Sequence, residues 1–304
     1  MTKPIVVLGS VNADLVLRCG RLPQPGETVH GEDFQTLPGG KGANQAVAAA
    51  RLGGRVEFIG CIGDDAFGTA ARATLERDGV GTALLRTQAG VPTGVAMILV
   101  EQSGQNCIAL AAGANARVDV ALVDDAASAI AGAALLVCQL ETPLAAVRHA
   151  IGIARRHGVP VLLNPAPAQP LEAALLAEVD ILVPNESEAA LLVGAGIARE
   201  PASMAAALRA QGPATVIVTL GGDGICIADA LGTRTRAAPP VRALDTTGAG
   251  DTFIGAFAVA LQEGLDIDAA AAFAQRAAAI SVTRAGAMGS MPTRHEVERG
   301  AQSK

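Results

Sequence analysis

The sequence predicts an α/β fold, a doubly wound and mostly parallel sheet flanked by helices, with a small β-rich lid. Three observations carry that prediction. Short apolar runs alternate with segments of helical length along the 304 residues. The runs are apolar throughout, as in strands of a parallel sheet covered on both faces. Several helical segments stop at a glycine, at Leu52-Gly53, Asp78-Gly79 and His157-Gly158, where a left-handed residue ends the helix.

In chain order, strands are predicted at Ile5–Ser10, Val56–Cys61, Leu135–Leu140, Val159–Leu163, Asp180–Val183, Val216–Leu220 and Ile225–Ala228. Helices are predicted at Ala43–Leu52, Thr69–Asp78, Leu144–His157, Glu186–Val193, Met204–Gln211 and Thr252–Glu263. Two stretches interrupt the alternation. Leu15–Gly40 carries Pro23, Pro25 and Pro38 among short β-like pieces, and Thr93–Gly113 reads as a hairpin around Ser103-Gly104. Together they predict one lid, built from inserted segments at about 13–38 and 93–112, on a single domain spanning 1–304.

Composition removes several function classes. The formal charge is −6 and no block concentrates Lys or Arg, which argues against a nucleic-acid partner. Trp and Tyr are absent, so no aromatic platform for stacking bases is available beyond six Phe. The five cysteines (Cys19, Cys61, Cys107, Cys138 and Cys226) are scattered without a CxxC pair, and the expectation is buried free thiols rather than disulfides or zinc. The longest stretch without a charged residue, such as Ala126–Leu140, has 15 residues, too short for a membrane span. No signal-peptide pattern opens the chain, and a cytoplasmic protein is expected.

In an open parallel sheet, ligands bind beyond the carboxyl ends of the strands. Asn12, Asp14, Glu141, Asn164 and Asn185 follow predicted strands, and Thr219 stands at the end of one, before its glycines. Each alone is an ordinary cap or turn residue; six on one edge predict a site. Asn12 and Asp14 are two apart, so in extended chain they share a face suited to vicinal hydroxyls. Gly39-Gly40-Lys41-Gly42-Ala43-Asn44 opens a helix and permits close backbone approach, yet it is neither a Walker A loop nor a GxGxxG fingerprint.

Asp245-Thr-Thr-Gly-Ala-Gly-Asp251 is the sharpest motif. The amides around Gly248, Ala249 and Gly250 form an anion hole for a phosphoryl group at a helix N-terminus, with Asp251 at its mouth, kept ionised by the same field and able to accept a hydroxyl proton. An anion hole beside a carboxylate is what phosphoryl transfer to an alcohol requires. Asn185-Glu-Ser-Glu188 fits a capping box, and Glu188 there could also organise magnesium-bound water. Thr219-Leu220-Gly221-Gly222-Asp223-Gly224 reads as a nucleotide-holding loop or a plain glycine hairpin.

These motifs, with Pro25-Gly-Glu-Thr28, Gly63-Asp-Asp-Ala-Phe-Gly68, Pro92-Thr-Gly-Val95, Ala112-Gly-Ala-Asn115, Asn164-Pro-Ala-Pro167 and Val282-Thr-Arg-Ala-Gly286, resemble the ribokinase-like carbohydrate kinases over nearly the whole chain. The Gly-Gly-Lys-Gly-Ala-Asn-Gln run points to the ribose-phosphorylating members. The resemblance implies a sugar site of Asn12, Ala13, Asp14, Gly40, Lys41, Gly42, Ala43, Asn44 and Glu141, with Asp251 as general base. It implies ATP contacts at Asn185, Thr219 to Gly224, Gly250, Asp251 and Gln275, with Mg²⁺ on the phosphates. Gln275 stands where a His or Asn near the adenine is usual. It further implies a K⁺ site at Asp245, Thr247, Ser281, Arg284, Gly286 and Ser290, mostly through backbone oxygens, and a homodimer formed through the lid. The rival readings are a same-fold kinase for another sugar or a nucleoside, and a non-catalytic sugar-binding relative.

Overall fold

A computed structural model of the chain describes residues 2–102 and 104–302. Its first part runs β1 (Ile5–Leu8), β2 (Asn12–Cys19), β3 (Gly31–Gly39), α1 (Lys41–Arg51), β4 (Val56–Gly63), α2 (Ala66–Arg77), β5 (Leu85–Gln88), β6 (Gly94–Glu101) and β7 (Asn106–Ala111). The middle contains α3 (Val120–Asp125), α4 (Ala127–Ala131), β8 (Leu135–Cys138), α5 (Leu144–Arg156), β9 (Val161–Leu163), α6 (Ala173–Leu176) and β10 (Ile181–Leu182). The last part holds α7 (Glu186–Val193), α8 (Pro201–Arg209), β11 (Thr215–Thr219), β12 (Ile225–Asp229), β13 (Gly232–Arg236), α9 (Ala249–Gln262), α10 (Ile267–Ser281) and α11 (Arg294–Gln302).

Among the described residues, nine strands form one sheet in the order β13-β12-β11-β10-β9-β8-β1-β4-β5. The run from β11 to β5 is parallel, whereas β12 and β13 add an antiparallel edge. In β1, Ile5 and Val7 join a core layer with α1, α2, α9 and α10. Val6 and Leu8 join the opposite layer with α3, α4, α5 and α8. All four are buried, which is why the run reads as apolar without alternation.

A second sheet has the order β3-β2-β6-β7 and comes from the two stretches that interrupt the alternation. Its strands are longer than the sequence suggests, since β2 and β3 pair along their whole length despite Pro38. Ser103 of the predicted turn lies outside the described residues.

Several boundaries differ from expectation for local reasons. The helix predicted from Thr252 begins at Ala249, so the glycine motif itself forms its first turn. α2 begins at Ala66 because the Asp65 side chain accepts from the Gly68 amide and caps it. α8 begins at Pro201, a proline at the first helical position. β5, β13, α10 and α11 carry no clear strand or helix signal, being short, polar or alanine-rich. Cys19, Cys61, Cys138 and Cys226 are buried free thiols, but Cys107 on the edge strand β7 is exposed, contrary to expectation.

One packing contact positions the site. α1 and α9 cross at Gly255, where an added Cβ would lie 2.6 Å from the Ala48 Cβ and 2.6 Å from the Gln45 carbonyl oxygen. Gly255→Ala therefore forces two helices apart, and overpacking of this kind costs about 1–3 kcal/mol. We expect a lower Tm together with lower turnover, because Asp251 stands on α9 and Asn44 on α1. Full activity at a reduced Tm would show that the crossing does not set the site geometry.

Candidate active site

The chain leaves β1 at Gly9 and meets the head of α1 immediately. Gly40 caps α1 at φ 93, and a Cβ there would come 2.8 Å from the Ser10 carbonyl. A Cβ on Gly42 would come 2.6 Å from the Gly9 Cα, so only glycine lets the helix head reach the strand edge. The Ala43 amide donates to the Ser10 carbonyl (2.9 Å), and the Gly42 amide donates to Ser10 Oγ (3.3 Å). Gly42 and Ala43 thus have their amides satisfied within the protein and shape the pocket. Ser10 Oγ donates to Glu141 Oε2 (2.5 Å), which also accepts the Lys41 amide (3.1 Å). A carboxylate on free amides at a helix N-terminus is favoured electrostatically.

Asn12 and Asp14 share a face of β2, as expected, while Ala13 faces the other way and is buried. Asn115 Nδ2 donates to Asn12 Oδ1 (2.8 Å), which leaves the Asn12 amide N–H groups for a ligand. Asp14 is pushed up to about 7 by burial, then by the charges of Glu141 and Asp251, against the pull of Lys41.

Asp251 lies in the first turn of α9, behind the left-handed Gly248 cap (φ 74), and is 9% exposed. Its Oδ2 accepts from Asn44 Nδ2 (2.9 Å) and its Oδ1 from Gln45 Nε2 (3.0 Å). Asn44 Oδ1 is buried without a partner in the protein, an acceptor left free for a donor. The helix field does not by itself keep Asp251 at an ordinary carboxylate value. Burial raises it, while Lys41, Gln45 and Asn44 oppose the rise and Glu141 adds to it. Burial pulls the Lys41 ammonium down, but Asp251, Glu141, Glu188 and Asp14 together hold it above the usual lysine value.

A cleft of about 210 Å³ opens beside Asp251, lined by Lys41, Asn164, Asn185, Glu188, Thr219, Gly248 and Gly250 among others. Asn185 caps α7 with its side chain, and the Glu188 side chain accepts the Asn185 amide (2.8 Å), the complete capping box predicted from the spacing. Burial raises Glu188, opposed by that amide and by Lys41. Leu220 to Gly224 form the turn of an antiparallel hairpin between β11 and β12, so the loop is a glycine hairpin set at the rim of the cleft.

Gln275 is placed apart from this cleft. Its Nε2 donates to the carbonyls of Arg236 and Ala237 (both 3.2 Å), and it lines a separate hollow of about 570 Å³ with Pro239, Pro240, Ala272 and Ala279. Asp245 ties two loops together: Oδ1 accepts from the Thr247 amide and hydroxyl, and Oδ2 from the Gly286 amide (2.8 Å). Ser281 and Ser290 each donate their hydroxyl to a carbonyl in their own turn, keeping oxygen lone pairs free. The Arg284 guanidinium pairs with Glu296, leaving only its backbone oxygen for a cation. Oxygen donors of this kind suit a hard cation.

Sequence reasoning missed Ser10, Gln45, Asn115 and Gln139 as members of the site. Gln45 and Asn115 stand inside motifs already singled out, whereas Gln139 has no signal beyond a polar residue closing an apolar run.

The chain belongs to the pfkB family of carbohydrate kinases, which it matches over residues 2–294. Within that family it is similar to a ribokinase of Haemophilus influenzae, at 46% identity over 298 residues covering 97% of each chain. Among solved structures it is similar to a ribokinase of Thermotoga maritima, with TM-score 0.92 at 36% identity and 99% of each chain covered. It is similar also to the ribokinase of Arabidopsis thaliana solved with ribose and ATP, with TM-score 0.91 at 35% identity and 98% of each chain covered.

Asp14 yields a pH-dependent prediction. Its folded-state value, about 7, lies above the ordinary 3.8, so folding favours the protonated form. That contribution is full below 3.8 and is lost as pH rises through about 7. Asp14→Asn should therefore raise Tm at about pH 8, with the gain closing toward about pH 4, in thermal unfolding without ligands. A gap independent of pH would show that Asp14 is not held above its ordinary value.

Proposed function

We propose that this protein transfers the terminal phosphoryl group of ATP to the 5-hydroxyl of D-ribose, giving ribose 5-phosphate and ADP. The observation that carries this reading is Asp251. It is a buried carboxylate in the first turn of a helix, shared between a polyol-suited pocket and a cleft lined by helix-terminal amides. The close relatives that are ribokinases support the choice of sugar.

In this reading Asn12, Asp14, Lys41, Asn44 and Glu141 hold the sugar hydroxyls, with Gly40, Gly42 and Ala43 shaping the pocket, while Ala13, on the opposite face of β2, does not meet the sugar with its side chain. Asp251 accepts the proton of the 5-hydroxyl as its oxygen attacks the γ-phosphorus, and the bond to the β-phosphate oxygen breaks with ADP leaving. The amides of Gly248 and Gly250 face the charge that develops on the transferred group, whereas the Ala249 amide already donates to the Thr246 carbonyl (3.2 Å). Asn185, Thr219, Leu220, Gly221, Gly222, Asp223, Gly224 and Gly250 receive the nucleotide, and the hollow at Gln275 receives its base. Mg²⁺ on the phosphates would neutralise charge, with Glu188 organising its water. Oxygens of Asp245, Thr247, Ser281, Arg284, Gly286 and Ser290 would hold K⁺ and thereby order the loop before α9.

The small sheet serves as a lid over the sugar. Phe34 and Met97 are exposed on it at 61% each, a surface that a second copy of the chain would cover in a homodimer. No helix among the described residues is long and apolar enough to cross a membrane, and we place the enzyme in the cytoplasm.

The test is ADP release with ribose, deoxyribose, hexoses and nucleosides, each in K⁺ and in Na⁺ salts. Ribose in K⁺ should be fastest, and Asp251→Asn should lose roughly 10²–10⁴ in turnover while still binding nucleotide. A variant within about threefold of the parent would end the assignment of the base, and a faster nucleoside would end the assignment of the sugar.

A further inference from the structure

We infer that Gln45 and Gln139 are positioning residues for the base, forming an amide chain in which Asn164 and Gln139 hold the two ends of the Gln45 carboxamide and so set the end that faces Asp251. This rests on Asp251 acting as the base.

The direction of the chain is set by an acceptor that cannot change. Asn164 Nδ2 donates to the Val183 carbonyl (2.9 Å), so Asn164 Oδ1 faces inward and accepts from Gln45 Nε2 (3.1 Å). The same Gln45 Nε2 donates to Asp251 Oδ1 (3.0 Å), and Gln45 Oε1 accepts from Gln139 Nε2 (2.6 Å). Gln45 and Gln139 are each 1% exposed, so bulk solvent does not reach either side chain. Gln139 Oε1 lies against Gly9, where a Cβ would collide with it, and has no hydrogen-bond partner in the protein, so Gln139 is held by packing and by its bond to Gln45.

A carboxamide turned half way round has almost the same shape and would place an oxygen against the Asp251 carboxylate. In that orientation Asp251 is satisfied only as the acid, which cannot accept a hydroxyl proton. Asn164 Oδ1 opposes this alternative, since it too would face an oxygen, and the Gln139 N–H on Gln45 Oε1 holds the other end of the carboxamide. The charged groups facing Asp251 are Lys41 on α1, Glu141 beyond β8, Asp14 on β2 and Glu188 on α7. Three of the four are carboxylates that oppose its ionisation, so N–H donors on Asp251 matter more here than in an open site.

The experiment uses the full chain with Gln45→Met, Gln139→Met, the double variant and Asp251→Asn, and measures kcat/KM for ribose against pH. The acidic limb should move up by about one unit in Gln45→Met and by less in Gln139→Met, with KM for ATP unchanged. Below the limb the loss should be about tenfold, and above it the rate should recover to within about threefold of the parent. The double variant should be no worse than Gln45→Met alone, because Gln139 acts through Gln45. An equal loss at every pH, or additive losses, would overturn the chain as a positioning device. If Gln45→Met does not fold, an unmoved limb in Gln139→Met does the same. Retained turnover in Asp251→Asn would instead overturn the base itself, a separate result.

Discussion

The site depends on one carboxylate held where two helix heads meet. Asp251 is buried at the start of α9, and α1 supplies Lys41, Asn44 and Gln45 around it. Both heads are brought together by close contacts at glycine, Gly42 against Gly9 and Gly255 against the α1 backbone. A carboxylate buried in this way becomes harder to ionise, and what restores its charge is a set of fixed donors rather than solvent. In the proposed function, binding and proton transfer thus draw on the same few side chains.

The charge balance follows from that arrangement. Lys41 faces Asp251, Glu141, Glu188 and Asp14, one cation among four carboxylates. Asp14 is pushed up to about 7, and Asp251 and Glu188 are raised in the same direction. Sugar hydroxyls donating to Asp14, and a cation-bearing nucleotide beside Glu188, would both relieve this strain. This charge balance favours hydrogen-bond donors beside Asp14 and a cation beside Glu188, as the proposed function requires.

Much of this was legible in the sequence, for reasons that differ by residue. β1, β8 and β11 announce themselves because strands buried on both faces must be apolar throughout. The capping box at Asn185 and Glu188 was readable because its spacing is a local hydrogen-bond geometry. The start of α9 was misplaced by three residues, from Thr252 to Ala249, because the Gly-Ala-Gly sequence reads as loop although it forms the first turn. Gln139 could not be found: its partner Gln45 is 94 residues away, and only the fold brings them within 2.6 Å. The ionisation of Asp251 was misjudged for the same reason, since burial is a tertiary property.

The most direct test of the whole account is phosphorus NMR of the product formed from ATP and D-ribose, run in parallel with 5-deoxyribose. In the proposed function a single acceptor hydroxyl meets Asp251, so ribose should give one phosphomonoester whose phosphorus couples to the two protons on C5. 5-Deoxyribose, which keeps the hydroxyls that Asp14, Asn12 and Glu141 would hold, should give none. A phosphoester on another carbon, or turnover of 5-deoxyribose, would contradict the account.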